Sequence, residues 1–385
     1  MVFDVHTAPR YAEFFCGGGM VRAALNDQWN CVLANDIDPM KAQVYAQNWG
    51  HDSLILDDVA SIDPALLRQP IDMYWASSPC QDFSLAGKGL GLSGERSSAF
   101  RSWISAVTPA VQSGFAPRII AFENVTGLIS RSDGRDFSEV LNAIIDLGYD
   151  VGVLEINAKD YVPQSRPRLF VIGIHKSVDA SQLCTSKPTE PYHSKRIVKF
   201  FQNSRRTITD SWLWLNIPKS DRPVATLNQL IDLTPEAGWF LPARVNELLN
   251  MMSPTTASKI DTKRRTGSIE IGTLYKRGRP DRNGSIRQRA EVRFDGIAGC
   301  LRTPGGGSSR QTIIVVKGNT TKARLLSARE AIRLMGLTDS FIIPEKYNSA
   351  YKVAGDGVVV PVVKHLDETL FQPALRLPLR QSKVA

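Results

Sequence analysis

The sequence predicts an α/β protein, a doubly wound sheet joined to a second, smaller and basic domain. Short apolar runs that each end in a polar or glycine residue alternate with amphipathic stretches through the first half of the chain. A glycine turn, Cys16-Gly17-Gly18-Gly19, follows the first of these runs and opens a helix, as a strand-to-helix turn beside a ligand does. The formal charge of +9 is concentrated: residues 186–310 hold 22 Lys and Arg against 11 Asp and Glu, and the remainder holds 25 against 27. A concentrated excess points to a polyanionic partner, where an even one would only aid solubility.

In order, Arg10 to Phe15 reads as the first strand and about Val21 to Gln28 as its helix. Cys31 to Ala34 is the second strand, ending in Asn35-Asp36-Ile37-Asp38, and Ser53 to Leu56 is the third, ending in Asp57-Asp58. A glycine turn followed about 20 residues later by an acid is the arrangement that holds a ribose. The alternative is a set of ordinary turn and surface residues. The fourth strand, Ile71 to Ala76, ends in Ser77-Ser78-Pro79-Cys80 and so puts a thiol where a strand gives way to a loop. Taken alone, Cys80 could equally be a small buried hydrophobe. Ala86 to Arg96, rich in glycine, reads as a lid or as a plain surface loop.

A helix from Ser98 to Gln112 leads to a fifth strand, 117–122, which ends in Glu123-Asn124-Val125. After a helix near 137–147, Tyr149 to Val162 alternates loosely, as a more exposed antiparallel strand would. In Gln164-Ser165-Arg166-Pro167-Arg168, residues two apart face the same way if the chain is extended, so Gln164, Arg166 and Arg168 converge on a partner or on solvent. A domain boundary falls near residue 185. The basic segment beyond it interleaves Trp212, Trp214, Trp239 and Tyr275, which favours nucleic acid over a merely solvated face. Thr303 to Arg310 reads as a linker or a phosphate cradle, and Ser327 to Met335 as a helix with a Ser327/Glu330 capping box. Tyr351 to Val363 is the last element, and residues 372–385 form a loose tail. The catalytic part is expected to span 1–185 and to be rejoined by 346–371, with 186–345 as the small domain and hinge.

Hydrophobic content of 43% with 22% charged residues is that of a soluble globular chain with a packed core. No apolar run is long enough to span a membrane, and the first residues lack a signal peptide's character, so a cytoplasmic protein is expected. Five scattered cysteines without a C-x-x-C pair signal neither a disulfide framework nor a zinc site.

Phe15-x-Gly17-x-Gly19, Pro79-Cys80-Gln81, Glu123-Asn124-Val125, Gln164-x-Arg166-x-Arg168 and the late Arg329-Glu330 and Gly355 blocks occur in one order. In that set the sequence resembles the DNA (cytosine-5)-methyltransferases of the bacterial restriction-modification type, over Tyr11 to Ile174 and Arg324 to Val363. The resemblance implies a Rossmann-like methyltransferase sheet, S-adenosylmethionine as cofactor, double-stranded DNA as partner and a variable target-recognition region in the basic segment. It also implies a monomer and a possible functional pairing with a restriction endonuclease. By the same resemblance Cys80 adds to carbon 6 of cytosine, Glu123 contacts nitrogen 3, Arg168 holds the carbonyl oxygen and Arg166 supports the site. Phe15, Gly17, Gly19, Asp36, Ile37, Asp58, Val59, Pro79, Asp356 and Val358 would hold the cofactor. Gln81, Ser84, Lys88, Arg96, Asn124, Gln164 and Arg310 would touch the substrate, which is flipped out of the duplex to expose its face. One departure stands out: the block usually read as Gly-Asn-x-Val is here Gly355-Asp356-Gly357-Val358, which loses an amide donor. Two other readings are a tRNA cytosine-5 methyltransferase and a catalytically silent DNA-binding regulator. The long basic insert argues against the first, and the intact Cys80 and Glu123 against the second.

Overall fold

The computed structural model describes residues 8–79, 98–233, 238–280, 283–303 and 310–380. Cys80, Gln81, Ser84, Lys88 and Arg96 lie outside them. The chain forms two compact units: Met1–Ile156, Pro167–Ser220 and Val360–Ala385 make the first, and Asn157–Arg166 with Asp221–Val359 the second.

The first unit contains a sheet built from β1 (Arg10–Phe14), β2 (Asn30–Asp36), β3 (Leu54–Leu56), β4 (Met73–Ala76), β5 (Ile119–Val125), β6 (Tyr149–Asn157), β7 (Pro167–His175), β8 (Cys184–Thr185) and β9 (Trp212–Leu215). The strand order is β3-β2-β1-β4-β5-β7-β6-β9-β8. β1, β2, β3, β4 and β5 pair in parallel, and β7 runs antiparallel to β5. The chain moves outward from β1 to β3 and then returns to the other side of β1 with β4. The order therefore reverses between β1 and β4, and the crevice beyond the carboxyl ends there is where such sheets bind ligands. β4 is buried along its whole length, and Tyr74, Phe122, Trp103 and Phe137 belong to the apolar core on which the helices Ser98–Gln112 and Arg135–Asp146 pack.

Three sequence expectations change here. β6 is mostly buried and lies between β7 and β9, pairing in parallel with β9, so it is an interior strand and not an exposed one. The cause is the stretch 184–215, which adds β8 and β9 to the sheet and carries the first unit on to Ser220, past the expected boundary near 185. Trp212 and Trp214 accordingly pack with Phe201 and each other on the sheet of the first unit. The third change concerns the end of the chain. It rejoins the first unit at Val360, later than 346, and residues 372–380 are not loose. Gln372–Arg376 is helical, Ala374 and Leu377 are buried, and Arg118 donates to the carbonyls of Leu375 and Leu377 at 2.8 and 3.0 Å. The stretch expected as one last element, Tyr351 to Val363, falls in two helices, Tyr347–Asp356 and Val360–Leu366, interrupted at 357–359.

The second unit is an antiparallel sheet, β11-β10-β12-β13, formed by β10 (Glu270–Pro280), β11 (Ile286–Arg293), β12 (Thr312–Lys317) and β13 (Thr320–Leu325). Leu274, Val292, Ile314 and Ala323 face the helices Pro242–Asn250 and Pro254–Arg265 across its core, where Val245, Leu248 and Ile260 meet them. The capping box at Ser327 is present, and its Glu330 also pairs with buried Arg324. This unit carries 24 Lys and Arg against 14 Asp and Glu, whereas the first carries 23 against 24. Among the described residues no helix is long and apolar enough to cross a membrane.

Candidate active site

At the end of β1 the backbone enters the left-handed region at Phe15 (φ 60°), a costly conformation for a bulky side chain, and again at Gly17 (57°) and Gly19 (80°). The two glycines differ in purpose. A Cβ on Gly19 would collide with the Trp49 indole, so this glycine lets the helix Pro39–Trp49 close on the turn. A Cβ on Gly17 would meet nothing within 4 Å, so the turn faces open space there. Asp36, at the end of β2 and buried, accepts the Gly17 N–H on one oxygen and the Asp38 N–H on the other, each at 2.8 Å. Next to it Ile37 leaves an apolar side chain 62% exposed. Asp58 is exposed and caps the short helix Val59–Ser61 through the Ala60 N–H, while the Val59 side chain is part of the core. Asn35, which the sequence reading passed over, bridges to the carbonyls of Ile55 and Asp57 at 3.2 and 2.8 Å and so fixes the exit of β3.

β4 ends beside β1, with the Ser77 N–H donating to the Phe14 carbonyl at 3.3 Å. Ser78 is buried, and Pro79, the last described residue before Cys80, is exposed. Asn124, at the end of neighbouring β5, donates from Nδ2 to both the carbonyl and the hydroxyl of Ser78, at 3.3 and 3.2 Å, while its Oδ1 accepts the Val125 N–H. Asn124 is thus a positioning residue two positions before the cysteine, where substrate contact had been expected. No signal in the sequence separates the two roles, since an amide at a strand end suits a backbone partner and a substrate equally.

Glu123 and Arg168 form the charged part of the site. Glu123 is opposite Phe170 in the β5–β7 ladder and Arg168 is two residues from Phe170, so both project from one face. Arg168 Nε lies 3.0 Å from Glu123 Oε1, with side chains 16% and 10% exposed. Its Nη1 donates to the Pro167 carbonyl at 2.9 Å. A planar carboxylate and a guanidinium side by side present an acceptor and donors in fixed directions, which suits the edge of a heterocycle that alternates the two.

The three residues of the Gln164–Arg168 block do not share a target. Gln164 is fully buried within the second unit, donating to the Leu334 carbonyl at 2.8 Å and accepting the Leu301 N–H at 3.1 Å, so it is not a substrate contact. Arg166 is buried too, and donates to the carbonyls of Leu301, Gly355 and Gly357 at 2.8, 2.9 and 2.7 Å. It therefore grips the backbone on both sides of Asp356, which is itself exposed at the end of its helix, while Val358 is buried. Gly355 is required there, since a Cβ would fall 2.8 Å from backbone atoms of Arg302 and Thr303. Arg310, another expected DNA contact, lies over the Tyr347 ring and donates to Asn348 at 2.7 Å.

A nucleoside-type crevice at the switch point of a doubly wound sheet, with a carboxylate–guanidinium pair at the same edge, defines a class: α/β enzymes that act on a planar substrate with a nucleoside cofactor. Comparison with known proteins narrows the class. The C-5 cytosine-specific DNA methylase family matches residues 10–372, and the chain belongs to that family. Among similar proteins are the type II methyltransferases M.HhaI of Haemophilus parahaemolyticus, 26% identical over 94% of this chain and 93% of that one, and M.BanI of Aneurinibacillus aneurinilyticus, 24% identical over 98% and 99%. A methyltransferase of Entamoeba histolytica shares the fold at a TM-score of 0.61, with 16% identity over 96% of this chain and 99% of that one. The chain is accordingly a DNA cytosine-5 methyltransferase whose methyl donor is S-adenosylmethionine.

Proposed function

We propose that the protein methylates carbon 5 of one flipped-out cytosine in a specific duplex sequence, through a covalent Cys80 adduct. The observation that carries this reading is the Glu123–Arg168 pair at the edge where β4 delivers Pro79 and then Cys80. Carbon 5 of cytosine becomes nucleophilic only after addition at carbon 6, a step suited to a thiolate. Cys80 adds there as electron density passes into the ring, and Glu123 shares a proton with nitrogen 3 to offset it. Arg168 holds the carbonyl oxygen, and Asn124 anchors Ser78 at the end of β4. Bound S-adenosylmethionine supplies an electrophilic methyl group to carbon 5. Loss of the carbon 5 proton then expels the Cys80 thiolate and restores the ring.

The open space over Gly17, the backbone-anchored Asp36 and the exposed Ile37 fit a nucleoside, with Asp36 oriented for ribose hydroxyls and Ile37 for a base. Phe15 and Gly19 shape the turn, and Asp356 with Val358 complete the set by family resemblance. The basic second unit is read as the target-recognition unit. By family resemblance the chain is read as acting as a monomer and as paired in function with a restriction endonuclease.

The test is incubation with labelled cofactor and duplexes containing 5-fluorocytosine, which blocks the final proton loss. A denaturation-resistant adduct is expected for the native chain and none for Cys80→Ala. Adduct formation in Cys80→Ala, or methyl transfer to tRNA in place of duplex DNA, would overturn the reading.

A further inference from the structure

The most basic feature of the second unit has no part in that chemistry. β10 and β11 pair with Arg277 opposite Arg289 and Arg279 opposite Arg287. Opposed residues of an antiparallel ladder share a face, as do residues two apart along a strand, so the four guanidinium stems rise from one face. Nearer the core the same hairpin is packed, with Leu274, Ala290 and Val292 buried. Farther out, residues 277–280 and 286–289 are exposed on both faces, so this half projects as a two-stranded ribbon without a covering layer. A bare ribbon is marginally stable by itself, and like charges placed directly opposite weaken it further. An anionic partner would reverse that penalty. The base of the same face carries Tyr275 opposite Glu291. The Arg277 guanidinium lies 4.6 Å from the Tyr275 ring centroid, and Arg279 reaches Glu291 at 2.7 Å. Residues 275–291 hold six Lys and Arg against two Asp and Glu, so the hairpin stays strongly positive whatever pairs form within it.

We propose that this ribbon is a clamp for the phosphate backbone of the duplex, with Arg277, Arg279, Arg287 and Arg289 as the contacting residues. The proposal rests on the reading of duplex DNA as substrate. Two-residue steps of about 7 Å along each strand and a cross-strand spacing of about 5 Å make a grid of one charge sign. Such a grid matches a row of phosphates, whose charge is the same at every position, whereas base edges change from one pair to the next. Its contribution is therefore insensitive to sequence and sensitive to salt.

The full-length protein and a quadruple variant, Arg277→Thr with Arg279→Thr, Arg287→Thr and Arg289→Thr, are compared by fluorescence anisotropy on a labelled duplex across a salt series. Binding is expected to weaken roughly 10- to 100-fold at physiological salt, and the slope of log K against log salt to shrink by about 3 to 4. The corresponding quadruple Lys variant keeps most of both, because lysine serves phosphate as a point charge. Sequencing of methylated products is expected to show the same sites for all three proteins. A thermal melt of the Thr variant no lower than that of the native chain checks the fold. Unchanged affinity and slope in the Thr variant would overturn the clamp, as would a Lys variant that fails equally and methylates different sites. Failure of the functional reading looks different: duplex binding that responds to these arginines, with no methyl transfer.

Discussion

The first unit holds its site charges in partnered, largely buried positions at strand ends, whereas the second combines buried backbone clamps with a surface rich in arginine. Asp36 accepts two backbone N–H groups and Glu123 faces Arg168, so each site charge of the first unit has one fixed direction. In the second unit Gln164 and Arg166 hold backbone carbonyls, while the ribbon arginines are exposed. The difference teaches that orientation is supplied where bonds change and field strength where a polymer must be held. Reaction geometry tolerates little displacement, but attraction to phosphate survives many side-chain positions.

The sharpest way to break that comparison is Glu123→Gln. It should lower turnover by about 10²- to 10⁴-fold, the usual weight of a positioned acid, with little change in duplex affinity; an equal loss of both would erase the division. Arg166→Met comes next, leaving three buried carbonyls without their donor. Leaving a buried polar group without its partner costs about 1–3 kcal/mol each, so the denaturation midpoint should fall steeply. Asn124→Ala should reduce turnover by up to about 10²-fold, as displacement of a reacting group does, with the melting temperature changing far less than in Arg166→Met. Asp356→Asn restores the family's amide and should tighten cofactor binding several-fold in calorimetry, roughly 1 kcal/mol for one hydrogen bond.

Two buried glutamates extend the comparison to pH. Glu13 in the first unit is pushed well above the usual carboxyl range, chiefly by burial, against which the Arg22 charge works weakly. Its folded form holds a proton that the unfolded chain releases near the ordinary pKa, so stability should decline as pH rises from about 4.5 towards its raised folded value. Glu330 in the second unit is also pushed up by burial, but the Arg324 hydrogen bonds, the Ser327 and Asp232 N–H groups and the Arg324 charge outweigh that and leave it lowered. Its stabilisation is present above the unfolded pKa and is lost as pH falls through the lower folded one. Denaturant midpoints of Glu13→Gln and Glu330→Gln against pH should therefore flatten opposite limbs of the profile.

Much of the first unit was legible because parallel strands buried on both faces write themselves as apolar runs with a polar residue at each end. The glycine turn, Asp36 and Glu123 stand where those runs predict. β9 was not legible as a strand of this sheet, since Trp212-Leu213-Trp214-Leu215 has the composition of an aromatic nucleic-acid surface as much as of an edge strand. The Gln164–Arg168 block failed for a different reason. Alternation aligns side chains only inside one continuous strand, and β7 begins at Pro167, so the rule did not reach Gln164 or Arg166. Nor can a sequence show that Asn124 turns inward to Ser78, because amides suit either destination.

Arg166 grips the main-chain oxygens on either side of residue 356, those of Gly355 and Gly357. The fold thereby makes that position a socket, in which the path of the chain is fixed independently of what it displays. A substitution at 356 therefore changes what the turn displays while the bonds that hold its path stay in place.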